Sequence, residues 1–213
     1  MSGPSLRPLV VGLTGSIGAG KSSVARLLQA HGALVIDADA LARQATDDPE
    51  VLASIARELG PGLVVYGRLD RQATARRVFD DPAARAALNG IVHPWVGRRR
   101  LELQAAAART PDPPPVIVHD VPLLFETGLD AAMDATVVVT APLETRVARV
   151  VARSGLPPEE VRARDAAQLP QAEKARRADF VVDNAGDEAA LEREVARLWP
   201  ALLARRATSD ALG

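Results

Sequence analysis

Residues 15–22, GSIGAGKS, combine three glycines with a lysine and a hydroxyl side chain. This spacing matches G-x-x-x-x-G-K-[ST], in which the glycines let the backbone wrap closely around a phosphate chain and direct N–H groups at it. The N-terminus of the following helix adds partial positive charge. The motif therefore predicts a phosphate-binding loop, in which Lys21 reaches the β- and γ-phosphates and Ser22 places its hydroxyl on Mg²⁺.

Lysine is almost absent from this chain, since only Lys21 and Lys174 are lysines among its 26 Lys and Arg residues. A compact ammonium fits inside a tight loop better than the broad guanidinium of arginine does. The alternative, a glycine-rich turn with an incidental lysine, is therefore disfavoured. We expect the side chain of Lys21 to face solvent when no nucleotide is bound.

A second cluster of charged residues, Asp37, Asp39 and Arg43, follows the apolar run ALVID (33–37). In open α/β sheets, ligands lie beyond the carboxyl ends of the strands, so we expect this cluster to face the same crevice as the loop. Two carboxylates and an arginine are suited to act there as a base for an acceptor hydroxyl, as support for a Mg²⁺ shell and as an anion clamp. The alternative is that one aspartate only caps the following helix.

Asp120 ends the apolar run PVIVHDV (115–121), and two roles stay open for it. It supports Mg²⁺, as the aspartate of a Walker B strand does, or it accepts a hydrogen bond from a loop. Its neighbour His119 alternates to the other face of the strand and is expected to be structural. His93 precedes a proline, and its two interpretations are a turn residue and a contact with a phosphoryl acceptor.

The elements that must position these residues are indicated by five short, mostly continuous apolar runs. Such runs are typical of strands covered on both faces, as in a parallel sheet. Helical patterns separate them, which predicts right-handed crossovers and an α/β P-loop NTPase fold of three layers with a five-stranded parallel sheet. The predicted strands are residues 9–14, 33–37, 115–121, 135–141 and 179–184.

Two insertions interrupt this alternation. Residues 47–110 contain helical patterns and one doubtful strand at 63–66, and Pro94 is expected to kink or split a helix there. Residues 154–178 are helical, arginine-rich and poor in large apolar side chains, so we expect them to be exposed and mobile. The predicted domains are a nucleotide-binding core (1–46, 111–153 and 179–213), a helical acceptor domain (47–110) and a lid (154–178).

The composition of the 213 residues narrows the function classes. The formal net charge of −1 gives no overall field that would attract nucleic acid or an anionic membrane. The absence of cysteine excludes disulfides, thiolate metal sites and a cysteine nucleophile. No apolar run is long enough to span a membrane, and the start MSGPSLRP lacks the apolar core of a signal peptide. We therefore expect a cytoplasmic protein without nucleic-acid, membrane or obligate protein partners.

Other P-loop classes carry further motifs that this sequence lacks. The guanine-reading NKxD of GTPases and the LSGGQ of transporter ATPases are both absent. A short core with two insertions is typical of small-molecule kinases, in which one insertion holds the acceptor and the other closes over it. The alternatives are a kinase for another small metabolite, such as a nucleotide or a sugar acid, and an ATPase or switch that acts on a protein partner.

From about residue 9 to 200, the sequence resembles the dephospho-CoA kinase family. The resemblance is carried, in order, by GLTGSIGAGKSS, VIDADALARQ, LNGIVHPWV, DVPLLFE, Arg149, Arg153, Gln168 and DFVVDNAG. It implies transfer of the γ-phosphoryl group of Mg·ATP to the ribose 3′-hydroxyl of dephospho-CoA, which is the last step of coenzyme A synthesis.

The resemblance also implies roles for individual residues. It makes Asp39 the catalytic base, with Lys21 and Arg149 acting on the transferred group. The acceptor-binding residues are Thr14, Asp39, Arg43 and His93. Ser22 would ligate the metal, with Asp37 or Asp120 contributing through water. The expected nucleotide-binding residues are Gly15, Gly18, Ala19, Gly20, Lys21, Ser22, Ser23, Arg153, Asn184 and Gly186.

Three positions depart from the common family pattern. Ser16 stands where a glycine is usual, Ala19 where a serine is usual, and Ala185 where a second asparagine is common. None of them removes the phosphate-loop motif.

Overall fold

A computed structural model describes residues 7–79 and 81–210. The strands are β1 Leu9–Gly15, β2 Leu34–Asp37, β3 Val64–Val65, β4 Arg68–Leu69, β5 Val116–Asp120, β6 Ala135–Thr140 and β7 Phe180–Asp183. The helices are α1 Lys21–Ala30, α2 Ala38–Ala45, α3 Pro49–Leu59, α4 Arg71–Phe79, α5 Pro82–Ala108, α6 Leu143–Ser154, α7 Pro158–Ala166, α8 Gln171–Arg177 and α9 Glu188–Asp210. Short 3₁₀ turns cover Pro61–Leu63 and Leu129–Ala132.

Five strands form one sheet in the order β2-β5-β1-β6-β7. β1 pairs in parallel with both β5 and β6, and β6 pairs in parallel with β7. Every residue of β1 is buried, as expected for a strand covered on both faces. The five predicted strands and the α/β fold with a parallel sheet are therefore confirmed.

The chain divides into two compact units. One comprises the described residues up to Ile36 together with those from Ala107 onward, and it includes the segment 154–178. Its core consists of side chains from the sheet and from α1 and α9, such as Val11, Val24 and Leu198. The other unit is the described part of Asp37–Ala106, and α2 is part of it. The functional roles of these segments stay predictions.

The second unit has its own apolar core around Val51, Ile55 and Val92. Asp48 begins α3 by accepting hydrogen bonds from the N–H groups of Glu50 and Val51, and it also accepts one from the indole of Trp95 at 2.9 Å. The hydrogen bond from the indole, followed by the backbone bonds, lowers the pKa of the Asp48 carboxyl.

A proline does not divide α5, so the expected split at Pro94 is wrong. The helix continues from Pro82 to Ala108 with Pro94 inside it. Proline removes one backbone donor and crowds the preceding turn, but the apolar residues around it, including Ile91, Val92 and Trp95, pack together in the core of this unit. Packing on both sides of the proline therefore maintains the helix. The doubtful strand at 63–66 is reduced to Val64–Val65, which pairs with β4 in a short hairpin.

The segment 154–178 is less exposed than the sequence indicates. Val161 is fully buried against Val147 and Val150 of α6. Lys174 is fully buried as well, and its ammonium pairs with the Glu126 carboxylate at 2.8 Å and donates to the Pro122 carbonyl at 3.4 Å. The expectation of a wholly exposed helical segment is wrong at these positions, because two of its side chains are anchored in the first unit.

Glu126 is held by more than its ion pair, since it also accepts a hydrogen bond from the Leu169 N–H at 2.9 Å. Burial is the largest influence and raises the pKa of the Glu126 carboxyl, but the bonds from Lys174 and Leu169 outweigh it. The pKa therefore lies below its ordinary value of 4.5.

Among the described residues, no helix combines the length and the apolar character that crossing a membrane requires.

We expect Lys174→Met to lower the free energy of unfolding by about 2–3 kcal/mol, because it removes one partner of a buried ion pair while the other carboxylate stays partly exposed to water. Denaturant unfolding at pH 7 measures this difference. Since the folded-state pKa of Glu126 is depressed, the stabilisation is complete above about pH 4.5 and is lost as the pH falls through the folded pKa. The difference in the free energy of unfolding between wild type and variant should therefore become smaller at acid pH.

Arg176→Met is the matched control, because Arg176 lies on the same helix and pairs with Glu173 while remaining exposed. Its unfolding free energy should stay within about 0.5 kcal/mol of wild type. If both substitutions lowered the free energy of unfolding by similarly small amounts, the result would contradict an anchoring role for Lys174.

Candidate active site

The phosphate loop connects β1 to α1 and has two glycines with positive φ, 77° at Gly18 and 91° at Gly20. A Cβ atom at Gly18 would overlap the Arg146 carbonyl, and one at Gly20 would overlap the Asn184 amide. Both positions therefore need glycine for backbone conformation and for space.

Asn184 holds the loop from outside. Its side-chain amide donates a hydrogen bond to the Ala19 carbonyl at 2.8 Å, and both residues are buried. The Ala19 carbonyl and the Gly20 N–H belong to one trans peptide group, so they point in opposite directions. The asparagine thereby directs the Gly20 N–H away from itself, and Lys21 and Ser22 follow as the first residues of α1, whose N–H groups have no acceptor within the helix.

The ammonium of Lys21 forms an ion pair with the Asp120 carboxylate at the end of β5. The Lys21 side chain is only 17% exposed, so the expectation that it faces solvent is wrong. The neighbouring strands β1 and β5 end side by side, which brings the aspartate to the loop. Of the two interpretations of Asp120, the structure shows a hydrogen-bonding contact, and that contact is with the loop lysine.

A cleft of about 290 Å³ opens beside the loop in the first unit. Arg149 reaches it from α6, and its Nη1 atom is buried without a hydrogen-bond partner. A buried guanidinium nitrogen that lacks a partner is costly unless a ligand supplies one. Arg153, one turn further along α6, is exposed. The cleft is lined by Gly20, Ser23, Arg26, Leu27, Arg149, Asn184, Gly186, Asp187, Glu188 and Leu191.

The hydroxyl of Ser16 is a further buried polar group of the loop without a hydrogen-bond partner. Ser16 is 4% exposed and takes the place of a glycine in the common family pattern. The loop accommodates a serine at this position, and the Ser16 carbonyl accepts a hydrogen bond from the Ala19 N–H at 3.0 Å.

The residues predicted to bind the acceptor are divided between the two units. Thr14 is buried in the first unit, where its hydroxyl donates to the Pro122 carbonyl at 2.9 Å. In the second unit, Asp39 is exposed in the first turn of α2, and Arg43 is exposed one turn later. His93 is exposed within α5, so its interpretation as a turn residue is wrong.

Asp37 caps α2, because its carboxylate accepts a hydrogen bond from the Ala40 N–H at 3.0 Å. Its other oxygen lies 4.0 Å from the Arg43 guanidinium. The alternative that one aspartate caps the helix is therefore confirmed for Asp37. Asp39 makes no such contact with described residues, and its carboxylate is available to a ligand.

A protein-only metal site is absent from residues 7–79 and 81–210, since no group of three or more His, Asp or Glu side chains is suited to a metal ion. Mg²⁺ in nucleotide sites needs only one or two protein oxygens besides phosphate and water. The exposed Ser22 hydroxyl and the Asp120 carboxylate supply such oxygens beside the loop. The donor set therefore fits magnesium that arrives with a nucleotide.

Arg146 is a loop contact that sequence reasoning missed. Its side chain is 5% exposed and donates to the Ile17 carbonyl at 3.3 Å. Nothing in the sequence distinguishes it from the many exposed arginines of this chain, because its importance depends on which carbonyl the fold places beside it.

Comparisons with known proteins agree with this geometry. The sequence model of the family described as dephospho-CoA kinase matches residues 9–190. A protein named dephospho-CoA kinase from Deinococcus radiodurans is 54% identical over 188 residues, which is 88% of this chain and 89% of that protein.

Two solved structures are similar to the whole chain. One, from Thermus thermophilus, is 45% identical with a TM-score of 0.78, and the match covers 92% of this chain and 98% of that one. The other is a dephospho-CoA kinase from Campylobacter jejuni, at 23% identity and a TM-score of 0.62 over 91% of this chain and 96% of that one, which shows the shared fold. By the match of residues 9–190 to the family model and by its identity to these relatives, the chain belongs to the dephospho-CoA kinase family.

Proposed function

We propose that this enzyme transfers the γ-phosphoryl group of ATP to the ribose 3′-hydroxyl of dephospho-CoA, giving coenzyme A and ADP. The single observation that supports this best is the complete phosphate loop beside the partnerless Nη1 of Arg149, in a chain of this family. The family is one of kinases, which implies ATP as the phosphate donor.

The loop and Lys21 bind and neutralise the phosphates. The N–H groups of Gly20, Lys21 and Ser22 are suited to donate to phosphate oxygens. Lys21 exchanges its contact with Asp120 for the β- and γ-phosphates when nucleotide enters, and Arg149 gains in a phosphate oxygen the acceptor that its Nη1 lacks. Because the transition state spreads negative charge over the transferred group, these fixed cations lower its energy.

Mg²⁺ would be held by the Ser22 hydroxyl together with phosphate oxygens, and Asp120 would accept hydrogen bonds from its water ligands once Lys21 has moved to the phosphates. Bound in this way, the ion would neutralise charge on the β- and γ-phosphates.

Asp39 is the proposed base that accepts the proton of the 3′-hydroxyl. Of the two aspartates in Asp37-Ala38-Asp39 (the DAD motif), Asp37 caps the α2 N-terminus and lies near Arg43, whereas Asp39 is exposed. An exposed carboxylate oxygen is suited to accept a proton from an alcohol bound within hydrogen-bond reach. Arg43, His93 and Thr14 are proposed to bind the acceptor, and Asn184, Gly186 and Arg153 the nucleotide.

The direct test is incubation with Mg·ATP and dephospho-CoA, followed by mass spectrometry for coenzyme A. A panel of other alcohols, including nucleosides and sugar acids, tests the alternative of a different small-molecule kinase. ATP hydrolysis at the same rate without any acceptor would instead favour an ATPase and would refute the proposal.

Lys21→Met should lower turnover by about 10²–10³-fold, the loss seen when one preorganised charge contact to a transition state is removed. Steady-state ADP release with saturating acceptor measures it. Arg197→Met, an exposed position of α9 with a local ion pair, is the control and should keep wild-type turnover. If Lys21→Met retained wild-type activity, the phosphate-loop assignment would be wrong.

Asp39→Asn should lower kcat by about 10²–10⁴-fold, because the amide keeps the shape of the side chain but cannot accept the proton. ATP binding, followed by calorimetry, should hardly change. Asp37→Asn is the matched control, since asparagine caps a helix about as well as aspartate does. It should keep kcat near wild type. Equal and mild losses of kcat in the two variants would show that the DAD motif is structural and that the base lies elsewhere.

A further inference from the structure

Arg146 of α6 binds two backbone carbonyls and a carboxylate at once. Its Nε donates to the Ala141 carbonyl at 3.1 Å, and its Nη1 donates to the Ile17 carbonyl at 3.3 Å. Both Nη atoms also bind the Asp165 carboxylate of α7, with Nη2 and Oδ2 3.2 Å apart. The guanidinium is buried, so these contacts are shielded from water.

The contact with Ile17 acts on the apex of the phosphate loop. The Ile17 carbonyl and the Gly18 N–H belong to one planar trans peptide group, so holding the carbonyl on one side directs the N–H to the other. The Gly18 N–H donates to no acceptor among the described residues, which leaves it for a ligand. The preceding peptide is held as well, because the Ile17 N–H donates to the Gln168 side chain at 3.3 Å.

Asp165 and Gln168 both come from the segment 154–178. The Ile17 side chain packs in a small apolar cluster with Val147 and Val150 of α6 and Val161 of α7. Both peptide groups that flank Ile17 are thus fixed by side chains that depend on the position of α7.

We infer that Arg146 and Asp165 are positioning residues that set the direction of the Gly18 N–H for phosphate. Arg146 touches the loop and Asp165 acts through Arg146, and neither is assigned to the nucleotide by the motif. The inference rests on the proposed function in taking the loop as a nucleotide site. When the Asp165 charge is removed, the guanidinium loses its ion pair and holds the Ile17 peptide less firmly.

A second ion pair between the same two helices provides a matched control. Arg162 of α7 donates to the Glu144 carboxylate of α6 at 2.7 Å. This pair is exposed, and neither side chain bonds to residues 15–20 within the part of the chain that the structure describes. Asp165→Asn and Glu144→Gln therefore each neutralise one carboxylate that joins α6 to α7. Only the Asp165 carboxylate pairs with an arginine that also contacts the phosphate loop.

The experiment measures the Kd values of ADP and AMP by calorimetry on the full chain, with thermal unfolding recorded in parallel. ADP carries the β-phosphate that loop N–H groups hold, and AMP does not. Asp165→Asn should weaken ADP about tenfold, as expected for one impaired charge-assisted contact. AMP should change less than about twofold, so the ratio of the ADP Kd to the AMP Kd rises about fivefold or more. Glu144→Gln should leave both constants unchanged.

Equal weakening of ADP and AMP by Asp165→Asn, or the same ratio as in wild type, would reduce the pair to a structural role and overturn the inference. If Asp165→Asn does not fold, Arg146→Lys decides, because it keeps a positive charge for Asp165 but loses the forked guanidinium that binds Asp165 and the Ile17 carbonyl together. The ratio of the ADP Kd to the AMP Kd should rise likewise. ADP binding needs no acceptor, so this outcome is independent of whether wild type phosphorylates dephospho-CoA.

Discussion

The planar trans peptide group is the constraint on which the nucleotide site depends. The carbonyls of Ile17 and Ala19 each accept a hydrogen bond from a side chain outside the loop, the first from Arg146 and the second from Asn184. The N–H groups of Gly18 and Gly20 must then point the opposite way, which creates a phosphate cradle without help from the loop's own side chains. The strand order β1-β6-β7 makes this possible, because it places the ends of three neighbouring strands, and so α6 and Asn184, beside the loop.

Both lysines of this arginine-rich chain contact the stretch DVPLLFE (120–126), which begins at the last residue of β5. Lys21 pairs with Asp120 and Lys174 pairs with Glu126, so the two ends of the stretch DVPLLFE are held by ammonium groups. Between them, the Pro122 carbonyl accepts hydrogen bonds from both Thr14 and Lys174. An ammonium is small enough for these buried positions, where a guanidinium would need a wider cavity. The scarcity of lysine therefore marks two places where a compact cation is required.

The sequence predicted those features that depend on local patterns. Continuous apolar runs indicated all five strands of the parallel sheet, and the spacing of glycines and lysine indicated the phosphate loop. It failed where the answer depends on packing between distant segments. Pro94 lies within an unbroken helix because apolar residues on both sides of it pack into the core of the second unit. Lys174 is buried although the sequence of its helix is rich in charged residues. Arg146 gave no signal, since only the fold selects which arginine meets the Ile17 carbonyl.

Asn184 both holds the phosphate loop and lines the cleft beside it. One N–H of its amide is used by the Ala19 carbonyl, and its backbone N–H donates to Thr140 of the neighbouring strand, so the side chain is fixed in direction. An asparagine amide has a second N–H and a carbonyl oxygen, and it lines the cleft beside the loop. The second N–H and the carbonyl oxygen are suited to hydrogen-bond the edge of an adenine. The nucleotide contact that the resemblance predicts for Asn184 would then involve a residue that also holds the loop. Binding of the base and direction of the Gly20 N–H would then depend on the same side chain, so a base that shifts Asn184 would also disturb the phosphate cradle.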